Sequence, residues 1–80
     1  MTQEKEADLV LDLKGLVCPM PVVRVSQAMK RLDVGAVIEA VATDPAVVPD
    51  MRAWARTTGN ELLSMEQSGG LFTFRLRKVK

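Results

Sequence analysis

The chain holds a single cysteine, in the run Leu16-Val17-Cys18-Pro19-Met20-Pro21, with two prolines in the three residues after it. One thiol cannot close an internal disulfide, and small oxidised secreted domains usually carry several cysteines. What remains is either a small buried hydrophobe or an exposed nucleophile. The sequence contains no histidine. Ser-His and Cys-His catalysis are therefore excluded, since no imidazole is present to act as base. A zinc ion would find one soft ligand plus carboxylates, a poor set. No metal or cofactor is expected.

The elements around Cys18 follow from periodicity. Leu9, Leu11 and Leu13 alternate with Val10, Asp12 and Lys14, the period of a half-buried strand, and Gly15 breaks it. From Pro21 the period becomes helical. Val22, Val25, Ala28, Met29 and Leu32 share one face, with Arg24, Gln27, Lys30 and Arg31 on the other. Lys30 and Arg31 are expected in the last turn, where cations suit the helix dipole, with Gly35 as the stop. Cys18 thus falls between strand and helix. As the cap it would face the free N–H groups of the opening turn, which favour a thiolate. Pro19 then takes the first helical position and Pro21 the third, stiffening the turn and leaving the Met20 N–H as the nearby donor. On that reading the thiol pKa lies below the free value of about 8.5. The residues alone leave the core reading and the thiolate reading both open.

Downstream, Ala36–Thr43 reads as a strand whose Glu39 points to solvent or a partner. Asp44 suits a helix cap with Pro45 at the first helical position; Pro49 disturbs the turn begun there, so the regular helix is expected from Pro49 to about Thr58, ended by Gly59. The alternative for Asp44 is a place near Cys18, because helix starts after parallel strands converge at one end of a sheet. Met51, Trp54 and Ala55 face inward on helical spacing, which makes Trp54 a core residue. Leu62–Gln67 and Leu71–Val79 flank Gly69-Gly70 as a hairpin with a primed turn. Phe72, Phe74 and Leu76 then share the core face, opposite Thr73, Arg75 and Arg77. The expected fold is α/β: a β-α-β-α-β-β two-layer sandwich, a four-stranded mixed sheet with two helices on one face.

Eighty residues make one domain, and residues 1–7 read as a flexible lead-in. A hydrophobic content of 48% with 26% charge is that of an ordered globular chain. No apolar run is long enough to span a membrane, and Met1–Asp8 lacks the apolar core of a signal peptide. A cytoplasmic protein without membrane contact is expected. A net charge of +1 gives no global attraction to nucleic acid. The cations gather at the end, in Arg75, Arg77, Lys78 and Lys80.

The stretch "LDLKGLVCPMPVV" resembles the signature of the TusA (SirA-like) sulfurtransferase family, a Cys-Pro-x-Pro element opening the first helix. The likeness continues through "ATDPA" at Ala42–Ala46 and "DMRAWARTTGNEL" at Asp50–Leu62. In that family the cysteine accepts a sulfane sulfur as a persulfide and hands it on. The resemblance implies that Cys18 is the sulfur-bearing residue, with Pro19, Met20 and Pro21 shaping its turn. It further implies a cysteine desulfurase or rhodanese as donor and a cysteine-bearing acceptor protein. Relatives serve tRNA thiolation, molybdenum-cofactor assembly and oxidative sulfur metabolism. Many relatives carry a second cysteine after the helix tryptophan, where this chain has Ala55, so the chemistry implied here uses one cysteine.

Asp44, Lys14 and Arg24 are the further candidates near Cys18; Lys14 and Arg52 would raise the local positive potential, and Arg24, Lys30 and Arg31 form a solvated helix face or a docking surface around the sulfur. Two other function classes fit parts of the sequence. An exposed reactive thiol also suits an oxidant sensor working through sulfenic acid. The basic last strand with its phenylalanines suggests RNA binding on a sheet, but the phenylalanines alternate away from the arginines, so direct nucleic-acid binding is not expected.

Overall fold

The computed structural model describes residues 6–80, so the reading of 1–7 as flexible falls mostly outside the described residues. Six elements follow one another: β1 (Leu9–Leu13), α1 (Met20–Met29), β2 (Val37–Ala42), α2 (Val47–Thr58), β3 (Glu61–Ser68) and β4 (Leu71–Arg77). The strands form one sheet in the order β1-β2-β4-β3. β1 and β2 are parallel, which requires a crossover between them, and α1 supplies it. β4 runs antiparallel to both β2 and β3. The result is the expected mixed sheet with both helices packed on one face.

Alternation decides which face that is. Ile38, Ala40 and Ala42 of β2 pair with Leu76, Phe74 and Phe72 of β4, and all six are buried. They meet Val25 and Met29 of α1 and Val47, Met51 and Trp54 of α2 in one core. Phe74 and Leu76 are fully buried and Phe72 nearly so. Gly69 and Gly70 both have positive φ, +56° and +80°, the signature of the type I′ turn that matches strand twist. On β3 the register shifts between Leu62 and Ser64, a bulge that leaves Leu63 exposed on that sheet edge.

Several local expectations are corrected. α1 ends at Met29 with Lys30 as its cap residue, so Lys30 and Arg31 do not lie in its last turn. The cation at that helix end comes instead from the far end of the chain. Lys78 Nζ donates to the carbonyls of Met29 at 3.1 Å and Leu32 at 2.7 Å. α2 begins at Val47, with Ala46 as its cap residue and no side-chain cap. Pro49 falls in the first turn, where an amide hydrogen has no intrahelical partner, so the helix is regular through it. Gly59 ends α2 in the left-handed conformation, at φ +78°.

The basic tail is not a free patch. Arg75 Nε lies 3.4 Å from Glu39 Oε1 on the open sheet face, and its side chain is only 17% exposed. Arg77 pairs with Glu61, and Lys78 is held by the α1 carbonyls. Phe72 and Phe74 are in the core and offer no ring for stacking on a base.

Candidate active site at the first strand-to-helix turn

The parallel pairing of β1 with β2 puts Leu13 opposite Ala42, so the residues after both strands emerge at the same end of the sheet. Two hydrogen bonds then tie the two loops together. The Gly15 N–H donates to Thr43 Oγ1 at 2.9 Å, and the Cys18 N–H donates to Asp44 Oδ2 at 2.9 Å. Gly15 adopts φ +83°, a left-handed conformation that lets β1 turn sharply toward α1. Asp44 also accepts the Ala46 N–H on Oδ1 at 3.0 Å, so one carboxylate fixes its own turn and the cysteine turn together. It is therefore a near-site residue and not the cap of α2.

Cys18 is exposed. It does not cap α1: Pro19 is the cap residue and makes no side-chain hydrogen bond to the helix. Pro21 follows at the second helical position. The Cys18–Pro19 peptide is cis. The Met20 N–H, expected as a donor to sulfur, goes to the Val17 carbonyl at 2.9 Å. Pro19 and Pro21 have no amide hydrogen to offer. The prolines stiffen the turn as expected, yet they also strip the helix start of the donors that would have stabilised a thiolate.

The charge around the sulfur is the opposite of the expected one. Cys18 and Asp50 line one shallow cleft of about 350 Å³ between α1 and α2, with Val22, Ala53 and Trp54. Hydrogen bonding toward the Asp50 carboxylate, partial desolvation and the charges of Asp50 and Asp44 push the thiol pKa above its ordinary value. Asp44 itself is lowered, because the Ala46 and Cys18 amides bind its ionised form. The expected depression of the thiol pKa is overturned.

The cations are elsewhere. Lys14 pairs with Asp12 at 3.4 Å, and Asp12 also accepts the Lys14 N–H at 3.0 Å. Arg24 lines a different groove, between α1 and β1, with Leu9, Leu11 and Arg31. Trp54 is 8% exposed and donates its indole N–H to Ser26 Oγ at 2.9 Å, which locks α2 against α1 behind the cleft. Ala55 is half-buried beside it, packed on the core. Close to Cys18 along the chain, Val17, Met20 and Val23 are exposed apolar residues, at 66%, 37% and 36%. Among the described residues no helix is long and apolar enough to cross a membrane.

Sequence reasoning did not single out Thr43 or Asp50. For Thr43 the available signal is its place directly after a strand parallel to β1. For Asp50 there is little, because an acidic residue in a first helical turn reads as ordinary dipole complementation.

A two-layer sandwich presenting one exposed thiol on a proline-bounded turn is a SirA-like architecture. The chain superposes on a SirA-like protein from Desulfitobacterium hafniense with a TM-score of 0.78, covering 90% of this chain and 99% of that one at 22% identity, which establishes the fold. Residues 9–78 match the sequence profile of the family described as Sulfurtransferase TusA, and the chain belongs to that family. It is 41% identical over 71 residues to the Sulfur carrier protein TusA of Allochromatium vinosum, covering 89% of this chain and 93% of that protein. It is also 41% identical over 73 residues to the Putative sulfur carrier protein YrkI of Bacillus subtilis, covering 91% and 97%. Identity to the Putative sulfur carrier protein YrkF of Bacillus subtilis is 47% over 73 residues, 91% of this chain, which spans 40% of the length of that relative.

Proposed function

We propose that the protein is a sulfur carrier that holds a sulfane sulfur as a persulfide on Cys18 and relays it to a cysteine-bearing acceptor in the cytoplasm. The observation that carries this reading is the placement of an exposed thiol on the rigid β1–α1 turn of a TusA-family chain. A cysteine desulfurase or a rhodanese charged with sulfur is the donor. In the loading step the Cys18 thiolate attacks the terminal sulfur of the donor persulfide. A new S–S bond forms, the old one breaks, and the donor cysteine leaves as thiolate. The Cys18 proton goes to solvent, the leaving thiolate takes one back, and no external oxidant or reductant is consumed. Delivery is the same exchange with the roles reversed. Downstream use in tRNA thiolation, molybdenum-cofactor assembly or oxidative sulfur metabolism is in keeping with the family.

The alternatives lose ground on specific residues. A peroxide sensor is favoured by a lowered thiol pKa, whereas the carboxylates of Asp50 and Asp44 push this one up. RNA binding on the sheet lacks exposed aromatic rings, since Phe72 and Phe74 are buried. The test is loading by intact mass. Incubated with a charged desulfurase or rhodanese, the protein should gain the mass of sulfur, lose it to reductant, and pass it to an acceptor thiol. Cys18→Ser should fold and stay unloaded. Equal loading of Cys18→Ser, or no loading of the native chain from either donor class, sinks the reading.

A further inference from the structure

Among the described residues, the cleft at Cys18 carries acid and no base, and Asp50 is the one charged residue of its lining. Asp44, from the loop between β2 and α2, stands against the Cys18 backbone at 2.9 Å. α1 contributes Pro19 and Val22 to the wall and no charged group. Lys14 pairs with Asp12, and Arg24 lines the separate groove between α1 and β1. On the same turn and the first turn of α1, Val17, Met20 and Val23 are exposed, an apolar collar suited to being covered by another surface.

This arrangement opposes the chemistry of the site. Sulfur exchange requires the thiolate, and a thiolate formed here by loss of the proton to solvent would lie beside the ionised Asp50 carboxylate. A cation brought to Asp50 reverses the balance, because it neutralises the carboxylate and favours the sulfur anion. Covering the collar strengthens both effects by excluding water.

We propose that Asp50, backed by Asp44, is a positioning residue that keeps Cys18 unreactive until a cationic surface covers the cleft, so that proteins exchanging sulfur with this chain present lysine or arginine beside their own reactive sulfur. Docking and activation are then one event. The free carrier is spared adventitious oxidation and alkylation, and reactivity appears where the correct partner sits. The covalent step is unchanged: the proton leaves to solvent, the thiolate attacks a sulfur, one S–S bond forms and one breaks. The inference rests on Cys18 as the sulfur-bearing residue, but its test uses no sulfur donor, so the two can fail separately.

The first arm is alkylation of the native chain by iodoacetamide, an uncharged probe, followed against pH. Asp50→Asn should move the rate midpoint to lower pH and raise the rate at neutral pH about threefold or more, the effect of half a pKa unit. Asp50→Glu, which keeps the charge, should stay close to the native profile. The second arm is thiol–disulfide exchange with cystamine, a dication, against dithiodipropionate, a dianion, each referred to its rate with a neutral small thiol. The native chain should prefer cystamine, the preference should shrink with added salt, and Asp44→Asn/Asp50→Asn should abolish it. An unchanged pH midpoint in folded Asp50→Asn overturns the proposal. So does the lack of any cationic preference in the native chain, a result that requires no variant.

Discussion

Lys78 offers a sharp test of how this small fold is held, because a residue at the end of β4 closes a helix that ended some fifty residues earlier. Its ammonium donates to the Met29 and Leu32 carbonyls at 3.1 and 2.7 Å just where α1 stops, the Met29 carbonyl also accepting the Leu32 N–H at 3.2 Å. Lys78→Met keeps most of the aliphatic stem and removes only the donors. A hydrogen bond to a charged group contributes about 1.5–3 kcal/mol when its loss leaves the partner dry. Here Met29 and Lys78 line a surface cleft of about 390 Å³, so water reaches the freed carbonyls and offsets part of that loss. The expected cost is about 1–2 kcal/mol for the pair of bonds. Against a total stability of about 4–12 kcal/mol for a chain of this size, the change is readily measured. Urea denaturation followed by tryptophan fluorescence should show a lower midpoint with an unchanged slope, and the melting temperature should fall by about 5–10 °C. Lys30→Ala and Arg31→Ala, the residues that periodicity would assign to this job, should each cost no more than about 0.5 kcal/mol. If Lys78→Met were neutral, or either control matched it, the cross-chain cap would be wrong.

Phe74→Ala, at the fully buried centre of the sheet, should cost about 3–5 kcal/mol in the same urea assay. Arg75→Ala should fall between that and a fully exposed change, because the arginine stem lies largely covered on the open sheet face. Trp54→Phe and Ser26→Ala should each cost about 1 kcal/mol, and the double variant should cost clearly less than their sum, since both remove the same indole–hydroxyl bond. Asp44 has its pKa depressed by the Ala46 and Cys18 amides, so its contribution is present above the ordinary aspartate value of 3.8 and is lost as pH falls through the folded-state value. Acid unfolding of Asp44→Asn should accordingly lack that part of the pH dependence, and an identical acid profile in both proteins would refute the assignment.

Much of this fold is visible in the sequence because each element carries its own period and its own stop. Leu9, Leu11 and Leu13 alternate, Val25 and Met29 recur at helical spacing, and Gly69-Gly70 allows the primed turn that brings β3 onto β4. What was misread depends on residues far apart in the chain. Adjacency assigns the end of α1 to Lys30 and Arg31, while Lys78 reaches it only once β4 lies beside β2. Pro49 reads as a disturbance of its helix, but a proline costs little in a first turn, and that turn starts at Val47, two residues before the regular helix that composition suggests.

The candidate site divides along the same line. That Cys18 sits at a stiff strand-to-helix junction follows from local residues, and so does the common end shared by Asp44. The state of the sulfur does not, because it is decided by which groups finally surround it. A helix start ordinarily lowers a thiol pKa through free amide donors. In this turn two of those positions are prolines and the Met20 amide is taken by Val17, so the favourable side of the balance is nearly empty. The unfavourable side is filled from another helix, by an Asp50 that lies 32 residues further along the chain. The prolines that mark the motif thus have two consequences: they fix where the sulfur stands, and they leave its charge to be set by whatever faces it. In the free protein that is a carboxylate. On the activation proposed above, a docked cationic partner changes this without moving the backbone, by offsetting the charges of Asp50 and Asp44.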